Sequence, residues 1–327
     1  MKLNLYDEDL NRIAIIGDQF VSCYWSEGYN STERFSLEVR TTEEFRQKLR
    51  PNCYVGRTDR KTVMVIKSVV IGIETIVASG QTADRILDDV ALIGTVEYGE
   101  AIDTAVRMRY NESNGYRGLN IAETNLGVQA SLTIGDRSFL DAIHSLCAEG
   151  NVGFTVERDG DSLVGRFYAP QPKPNLVFAR KYGNLALKSV KLSTETEKNY
   201  AIVLGDVDNE GNVVRIDVDL SGGSDRREIV LKETGVVLEP DETAEQYASR
   251  LYAFGVEQLL ALTTVQECEF ELDSSGFGTE YDLGDIITVL LPEYDMKLNA
   301  KIARITQKEQ RNRTTTTVEV GDIIKVR

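Results

Sequence analysis

The run Tyr281-Asp282-Leu283-Gly284-Asp285-Ile286-Ile287-Thr288-Val289 constrains this chain more than any other stretch. A polar turn holding a Gly, free to take φ > 0, hands over to β-branched residues that suit a pleated strand. Upstream lies the longest helical pattern, Thr243 to Leu262, with Ala244, Tyr247, Ala248, Leu251, Gly255, Leu259 and Leu262 along one face. Glu242 and Glu245 sit near its positive end. Everything from 265 to 327 reads as strand and turn, closing with Thr314 to Val320. The expected class is therefore α+β and β-rich.

The first 80 residues repeat the strand theme. Arg12–Gly17, Arg34–Val39 and Thr62–Lys67 alternate or run apolar between turn residues. One short helix interrupts them, Thr42 to Leu49, with Thr41 or Thr42 as N-cap, Glu43 and Glu44 in its first turn, and Phe45 and Leu49 facing inward. Ser79-Gly80-Gln81-Thr82 opens a second helix bearing Ile86, Leu87 and Val90. Residues 95–135 are polar and Gly/Asn-rich, with a turn signal at Asn114-Gly115 and no helix assigned. Asp136 then caps an amphipathic helix whose inner face is Phe139, Leu140, Ile143, Leu146 and Cys147, ended by Gly150. A hairpin follows, Gly153–Arg158 and Ser162–Tyr168, turning at Asp159-Gly160-Asp161. Pro170-Gln171-Pro172-Lys173-Pro174 is the expected linker. Beyond it, Leu185 to Asp219 is strand again, folded back across 208–212.

Composition narrows the partners. Lys+Arg 37 against Asp+Glu 52 leaves a net charge of −15, so stable docking onto a phosphate backbone, which needs clustered cations, is not expected. An acidic surface past which DNA slides is compatible with the charge. Cys23, Cys53, Cys147 and Cys268 form no C-x-x-C pair and have no zinc spacing, as expected of free thiols made in a reducing cytoplasm. The opening residues turn acidic at Asp7 and carry no signal-peptide pattern. Val63 to Val77, the greasiest stretch, is broken by Lys67 and Glu74, so no membrane segment is expected.

Few residues offer catalytic chemistry. The single histidine, His144, has Cys147 one helical turn away, but Cys147 lies on the face the helix must bury. Asp206, Asp208, Glu210 and Asp217 follow the ligand spacing of a calcium loop, except that Asp217 stands where the long bidentate Glu belongs. Their flanks read as strands and not helices, so a hairpin turn is the expected use and no metal or cofactor is assigned. Asp88-Asp89 and Glu43-Glu44 are ordinary helix charges, and Ser221-Gly222-Gly223-Ser224 lacks the Gly-Lys-Ser/Thr of a phosphate loop. Arg311 and Arg313 suit a hairpin tip leading into an edge strand. Tyr24, Trp25 and Tyr29 form the one aromatic cluster that suits glycan gripping, with core or interface packing as the alternative use. Gly284 and Asp285 are assigned a structural turn; no catalytic residue and no interface residue is named.

Taken in order, several landmarks resemble the tail-hub, or tail-associated, proteins of long-tailed bacteriophages. They are Gly80-Gln81-Thr82-Ala83-Asp84-Arg85-Ile86-Leu87, Tyr182-Gly183-Asn184-Leu185, Asn199-Tyr200-Ala201, the Thr243–Leu262 helix and Tyr281-Asp282-Leu283-Gly284-Asp285. Related hubs occur in contractile-phage baseplates and in type VI spike proteins. The resemblance implies a non-enzymatic homotrimer in the virion, at the tail tip or baseplate, made in the host cytoplasm. Each subunit would carry two small antiparallel β-barrels. Expected partners are itself, a distal tail or tail-tube protein, the tape-measure protein, and receptor-binding or fibre proteins, with the trimer lining or closing the DNA channel. The implied domains are an N-terminal barrel at 1–80, an α+β domain at 81–185, a discontinuous second barrel from 186–235 and 266–327, and a long helix inserted at 236–265. Many relatives continue into a lysin or fibre extension beyond this point. The alternative from a different class is a cell-wall glycan-binding or glycan-degrading protein.

Overall fold

The computed structural model describes the chain except for residues 93–95, 98–100, 113–118, 130–132, 135–136, 194–196, 208–210, 224, 233–234, 239–241, 263–264, 311–312 and 326–327. Two compact units form, one of Met1–Ala186 with Phe270–Arg327 and one of Leu187–Glu269.

The first unit begins with β1 (Leu3–Tyr6), β2 (Arg12–Gly17), β3 (Ser22–Gly28), β4 (Arg34–Arg40), helix α1 (Glu43–Lys48), β5 (Tyr54–Arg57), β6 (Val63–Ile71) and β7 (Thr75–Thr82). In β4 the sequence Arg-Phe-Ser-Leu-Glu-Val-Arg buries Phe35, Leu37 and Val39 and turns the others outward, the period of two that a one-sided strand requires. β6 obeys a different rule, because Val63, Met64, Val65 and Ile66 are all buried. Met64 and Ile66 join a core with Trp25, Phe35 and Leu37. Val63 and Val65 join another with Tyr54, Phe139 and Leu146. A strand covered on both faces reads as an unbroken apolar run, which is why this stretch is so greasy. Burying each of these side chains contributes about 1.5–3 kcal/mol. In α1 the Thr42 hydroxyl accepts the Phe45 N–H, and Leu49 at the other end is fully buried.

The helix expected after Gly80 is a 3₁₀ segment, Ala83–Asp89. Thr82 does not cap it with its side chain; the hydroxyl instead accepts the backbone N–H of Glu33 at 3.1 Å. Short strands follow: β8 (Ala91–Leu92) pairs with β12 (Arg137–Ser138), and β9 (Val96–Glu97) pairs with β11 (Thr133–Ile134). β10 (Leu119–Ile121) runs parallel to β14 (Ser162–Tyr168), which pairs antiparallel with β13 (Gly153–Asp159). Two helices cover the second face of the sheet. α2 (Ile102–Glu112) lies inside the polar stretch with no expected helix, and buries Ile102, Ala105, Val106 and Tyr110. α3 (Phe139–Glu149) buries the expected Phe139, Leu140, Ile143, Leu146 and Cys147. Its cap is Ser138, whose hydroxyl accepts the Asp141 N–H; the expected cap, Asp136, and the turn at Asn114-Gly115 lie outside the described residues.

The proline-rich stretch is not a linker. Pro172–Ala179 forms β15 and pairs in parallel with Ile286–Leu291 at the edge of the large sheet. A proline has no N–H to donate, so an edge or a strand's first residue is where a sheet accepts one, and the register shift between Lys173 and Val177 accommodates Pro174.

The second unit holds most of β16 (Leu185–Ser193), then β17 (Tyr200–Val207), β18 (Val213–Asp219), β19 (Glu228–Leu231), helix α4 (Ala244–Ala261) and most of β20 (Val265–Leu272). β17 is central, antiparallel to β18 and parallel to β19, while β16 pairs with β20. α4 opens on a capping box: the Thr243 hydroxyl accepts the Gln246 N–H, and the Gln246 side chain accepts the Thr243 N–H. Tyr247, Leu251 and Leu259 pack on Ala201, Val203 and Val218.

Three further strands complete the first unit: β21 (Ile286–Leu291), β22 (Met296–Gln310) and β23 (Arg313–Lys325). β22 pairs with β21, β23 and β3, giving an eleven-stranded sheet of order β15-β21-β22-β3-β4-β7-β6-β5-β1-β2, with β23 beside β22. The expected second barrel drew 186–235 and 266–327 together. In the contact grouping, Phe270–Arg327 falls with the N-terminal strands, because Ser22–Gly28 hydrogen-bonds to Arg304–Gln310. Among the described residues the strand pairs form no closed ring.

Candidate functional site

A cleft of about 370 Å³ opens in the first unit where β3, the loop before β6, the β13–β14 hairpin and the Tyr281–Asp285 run meet. Asp285 builds its rim. One carboxylate oxygen accepts the Gln171 N–H at 3.1 Å and the other accepts the Asp282 N–H at 3.0 Å, with Lys173 Nζ 3.8 Å away. The Ile286 N–H donates to Gln171 O, and the Gly284 N–H donates to Ile302 O. Asp285 thus joins the start of β15 to the start of β21. Gly284 takes φ +83°, and a Cβ there would stand 2.5 Å from Tyr29 Cε2.

A chain of charges crosses the cleft. Glu27, 2% exposed, accepts the Trp25 indole N–H at 2.9 Å on one oxygen. Its other oxygen accepts the Thr62 hydroxyl at 3.0 Å and faces Arg60 Nε at 3.1 Å. Arg60 Nη2 reaches on to Asp282 Oδ1 at 3.0 Å, and its guanidinium carbon lies 4.7 Å from the Phe277 ring centroid. Burial pulls the Arg60 pKa down, but Glu27 and Asp282 outweigh it and hold the group above its ordinary value. A glycan-cleaving carboxylate pair needs open space for sugar and water between its members. Here one guanidinium fills that space, and the arrangement acts as a clamp between three chain segments.

Asp84 lines the same cleft. Its Oδ2 accepts the Thr32 hydroxyl at 3.0 Å and lies 3.9 Å from His144 Nε2, and the Thr82 hydroxyl and the Arg85 N–H also favour its charged form. Burial raises the Asp84 pKa and lowers that of His144. His144 therefore neighbours a carboxyl, while the Cys147 thiol is fully buried and pushed up to about 12 by burial.

The remaining sequence candidates lie apart. Asp206 Oδ2 accepts the Leu238 N–H at 2.7 Å, and Asp217 is held by Arg215 and the Tyr200 hydroxyl. Asp208 and Glu210 lie outside the described residues, as do Arg311 and Ser224. β17 and β18 flank the loop as strands. Among the described residues no three His, Cys, Asp or Glu side chains gather as metal ligands. Trp25 is 1% exposed and packed in the core, Tyr24 lies under Lys308, and Tyr29 meets Tyr168 edge-on, so the three rings present no shared face. Arg313 is exposed at the start of β23. Asp88 and Asp89 pair with Arg85, and Glu44 pairs with Lys48. Sequence reasoning missed Glu27, Arg60 and Asp84, which belong to no local motif. A lone Glu at an inward strand position was the one available signal.

Comparison with known proteins agrees with this architecture. Among curated proteins no sequence matches. The prophage tail protein gp18 of Listeria monocytogenes superposes with a TM-score of 0.63 at 13% identity, over 98% of this chain and 95% of its own. The 43 kDa tail protein of prophage MuSo2 from Shewanella oneidensis gives 0.61 at 14% identity, over 98% of both chains. A tail protein from Neisseria meningitidis gives 0.60 at 12% identity, over 98% and 96%. These likenesses establish a shared β-rich α+β fold. The family model described as Siphovirus ReqiPepy6 Gp37-like protein matches residues 120–322, which span the rim turn, the β13–β14 hairpin and the whole second unit, and this chain belongs to that family.

Proposed function

We propose that this protein is a structural component of a phage tail, a homotrimeric hub at the tail tip or baseplate. In this reading it joins a tail-tube or distal tail protein to the tip and to receptor-binding proteins, and lines or closes the channel through which the tape-measure protein and DNA leave. The observation that carries the reading is the end-to-end fold likeness to prophage tail proteins, which spans nearly the whole of both chains. The geometry is compatible: the edges at β2, β15 and β23, which have no further strand partner among the described residues, can be covered in an oligomer, and a net charge of −15 per chain suits a wall along which DNA slides without sticking. The two small barrels of the hub reading would be drawn from 1–80 and from 186–235 together with 266–327.

Light scattering across a hundredfold dilution tests it. The expected particle has three times the 36.5 kDa chain mass and persists on dilution. A strict monomer that also fails to form rings with a tail-tube protein overturns the hub reading. Clear turnover of cell-wall glycan by the purified chain would overturn the purely structural one.

A further inference from the structure

On a chain of net charge −15, one pocket of about 270 Å³ runs against the trend. Arg57, Arg60, Lys61 and Arg158 line it with Asn4 and Tyr6, and none of its lining residues among those described is acidic. Two of the four cations are already matched. Arg57 grips Asp59 through two hydrogen bonds of 2.9 and 2.6 Å, and Arg60 is held by Glu27 and Asp282. Lys61 and Arg158 are different, since among the described residues neither side chain makes an ion pair or a hydrogen bond.

Their placement is nonetheless built. The Arg158 N–H donates to Lys61 O at 2.9 Å, and Thr62 bridges to Glu157, so main-chain bonds hold the two cations side by side. The Arg158 guanidinium lies over the Tyr6 ring, 4.3 Å from its centroid, which fixes the plane of the fork. Arg158 Nε is buried and has no hydrogen-bond partner. The residue is only half-buried, so the rest of its guanidinium is open to an acceptor.

We propose that this pocket binds a phosphate group, with Arg158 donating from the outer nitrogens of its guanidinium and Lys61 supplying its ammonium. A guanidinium fork from β13 and an ammonium from the turn before β6 offer donors out of one plane, which suits a tetrahedral oxyanion better than a flat carboxylate. Arg57 and Arg60 stay with their carboxylates, so the charge offered to the ligand is that of Lys61 and Arg158.

The full chain is titrated calorimetrically with inorganic phosphate and, separately, with glycerol 3-phosphate, each at constant ionic strength. One saturable site per chain is expected. Both Arg158→Gln and Lys61→Gln should weaken it about tenfold or more, while Arg46→Gln, exposed on α1, leaves it unchanged. Lys61 is exposed, so its variant keeps the test sound if Arg158→Gln loses the Tyr6 packing and unfolds. Binding of the free ion alone assigns the pocket to phosphate ions; equal or tighter binding of the monoester assigns it to a phosphate carried on a larger molecule. No saturable binding of either, equal binding of acetate, or affinity unchanged in both pocket variants would overturn the proposal.

Discussion

Glu27 Oε2 lies 3.1 Å from Arg60 Nε, and the Glu27 side chain is almost wholly removed from water. Removing the cation leaves a buried carboxylate with only the Thr62 hydroxyl and the Trp25 N–H as partners. Arg60→Met is therefore expected to destabilise by about 3–5 kcal/mol, while the double variant with Glu27→Gln recovers much of that loss. Urea unfolding midpoints at unchanged m-value measure both. A loss under about 1 kcal/mol for the single variant would show that the pair behaves as a solvated one.

Gly284 separates backbone strain from crowding. Gly284→Ala meets a left-handed φ, costing about 1–2 kcal/mol, and a collision with Tyr29, costing about 1–3 kcal/mol more. Gly160→Ala has a similar φ of +63° and open space around its Cβ, so it should suffer only the first penalty. Equal thermal shifts for the two variants would refute the packing against Tyr29.

Asp103 gives stability an acid edge. Burial pushes its carboxyl up, but the N–H groups of Thr124, Asn125 and Thr104 and the Thr124 hydroxyl together outweigh burial and hold it below its ordinary 3.8. A lowered folded pKa stabilises above the unfolded value and is lost as pH falls through the folded one. Asp103→Asn should cost about 1.5–3 kcal/mol at neutral pH, and the gap from the parent should close as the solution is acidified below 3.8. A gap independent of pH would mean that the charge is not what the donors hold.

Asp84 carries the opposite sign. Burial raises its folded pKa, so its favourable contribution is present below 3.8 and is lost as pH rises through the folded value. Asp84→Asn should therefore stabilise the chain at neutral pH relative to its effect near pH 3.8. The same variant should lower the His144 pKa further, because Asp84 opposes the burial that depresses it. The chain has one histidine, so its ring protons report this directly in an NMR titration. An unchanged or raised His144 pKa would break the link between the two groups.

What the sequence disclosed was local. Thr243, Gln246 and the apolar period of Ala244–Ala261 lie within one helix, and both the helix and its cap are readable from them. Thr42 before Glu43–Lys48 is readable for the same reason. α2 escaped because Asp103, Arg107 and Arg109 break up a narrow stripe of Ile102, Ala105, Val106 and Tyr110, and buried Asp103 reads as surface until its four donors are seen. The proline run misled because edge pairing depends on a partner far along the chain. Glu27, Arg60 and Asp282 meet only through the tertiary fold, so no spacing rule reveals them.

The pairing of β3 with β22 also governs when this protein can become itself. The Ser26 and Thr306 hydroxyls touch across 280 residues, and every hydrogen bond of that seam spans a comparable separation. On the ribosome, β3 must wait with one edge open until the strand that seals it has been made. Within the Leu187–Glu269 unit, β17, β18 and β19 are near neighbours in sequence and can pair meanwhile. Slow, late closure leaves an exposed strand edge in the nascent chain, so yield in a recombinant host should depend on chaperone supply and low temperature more than on the stability of the finished molecule.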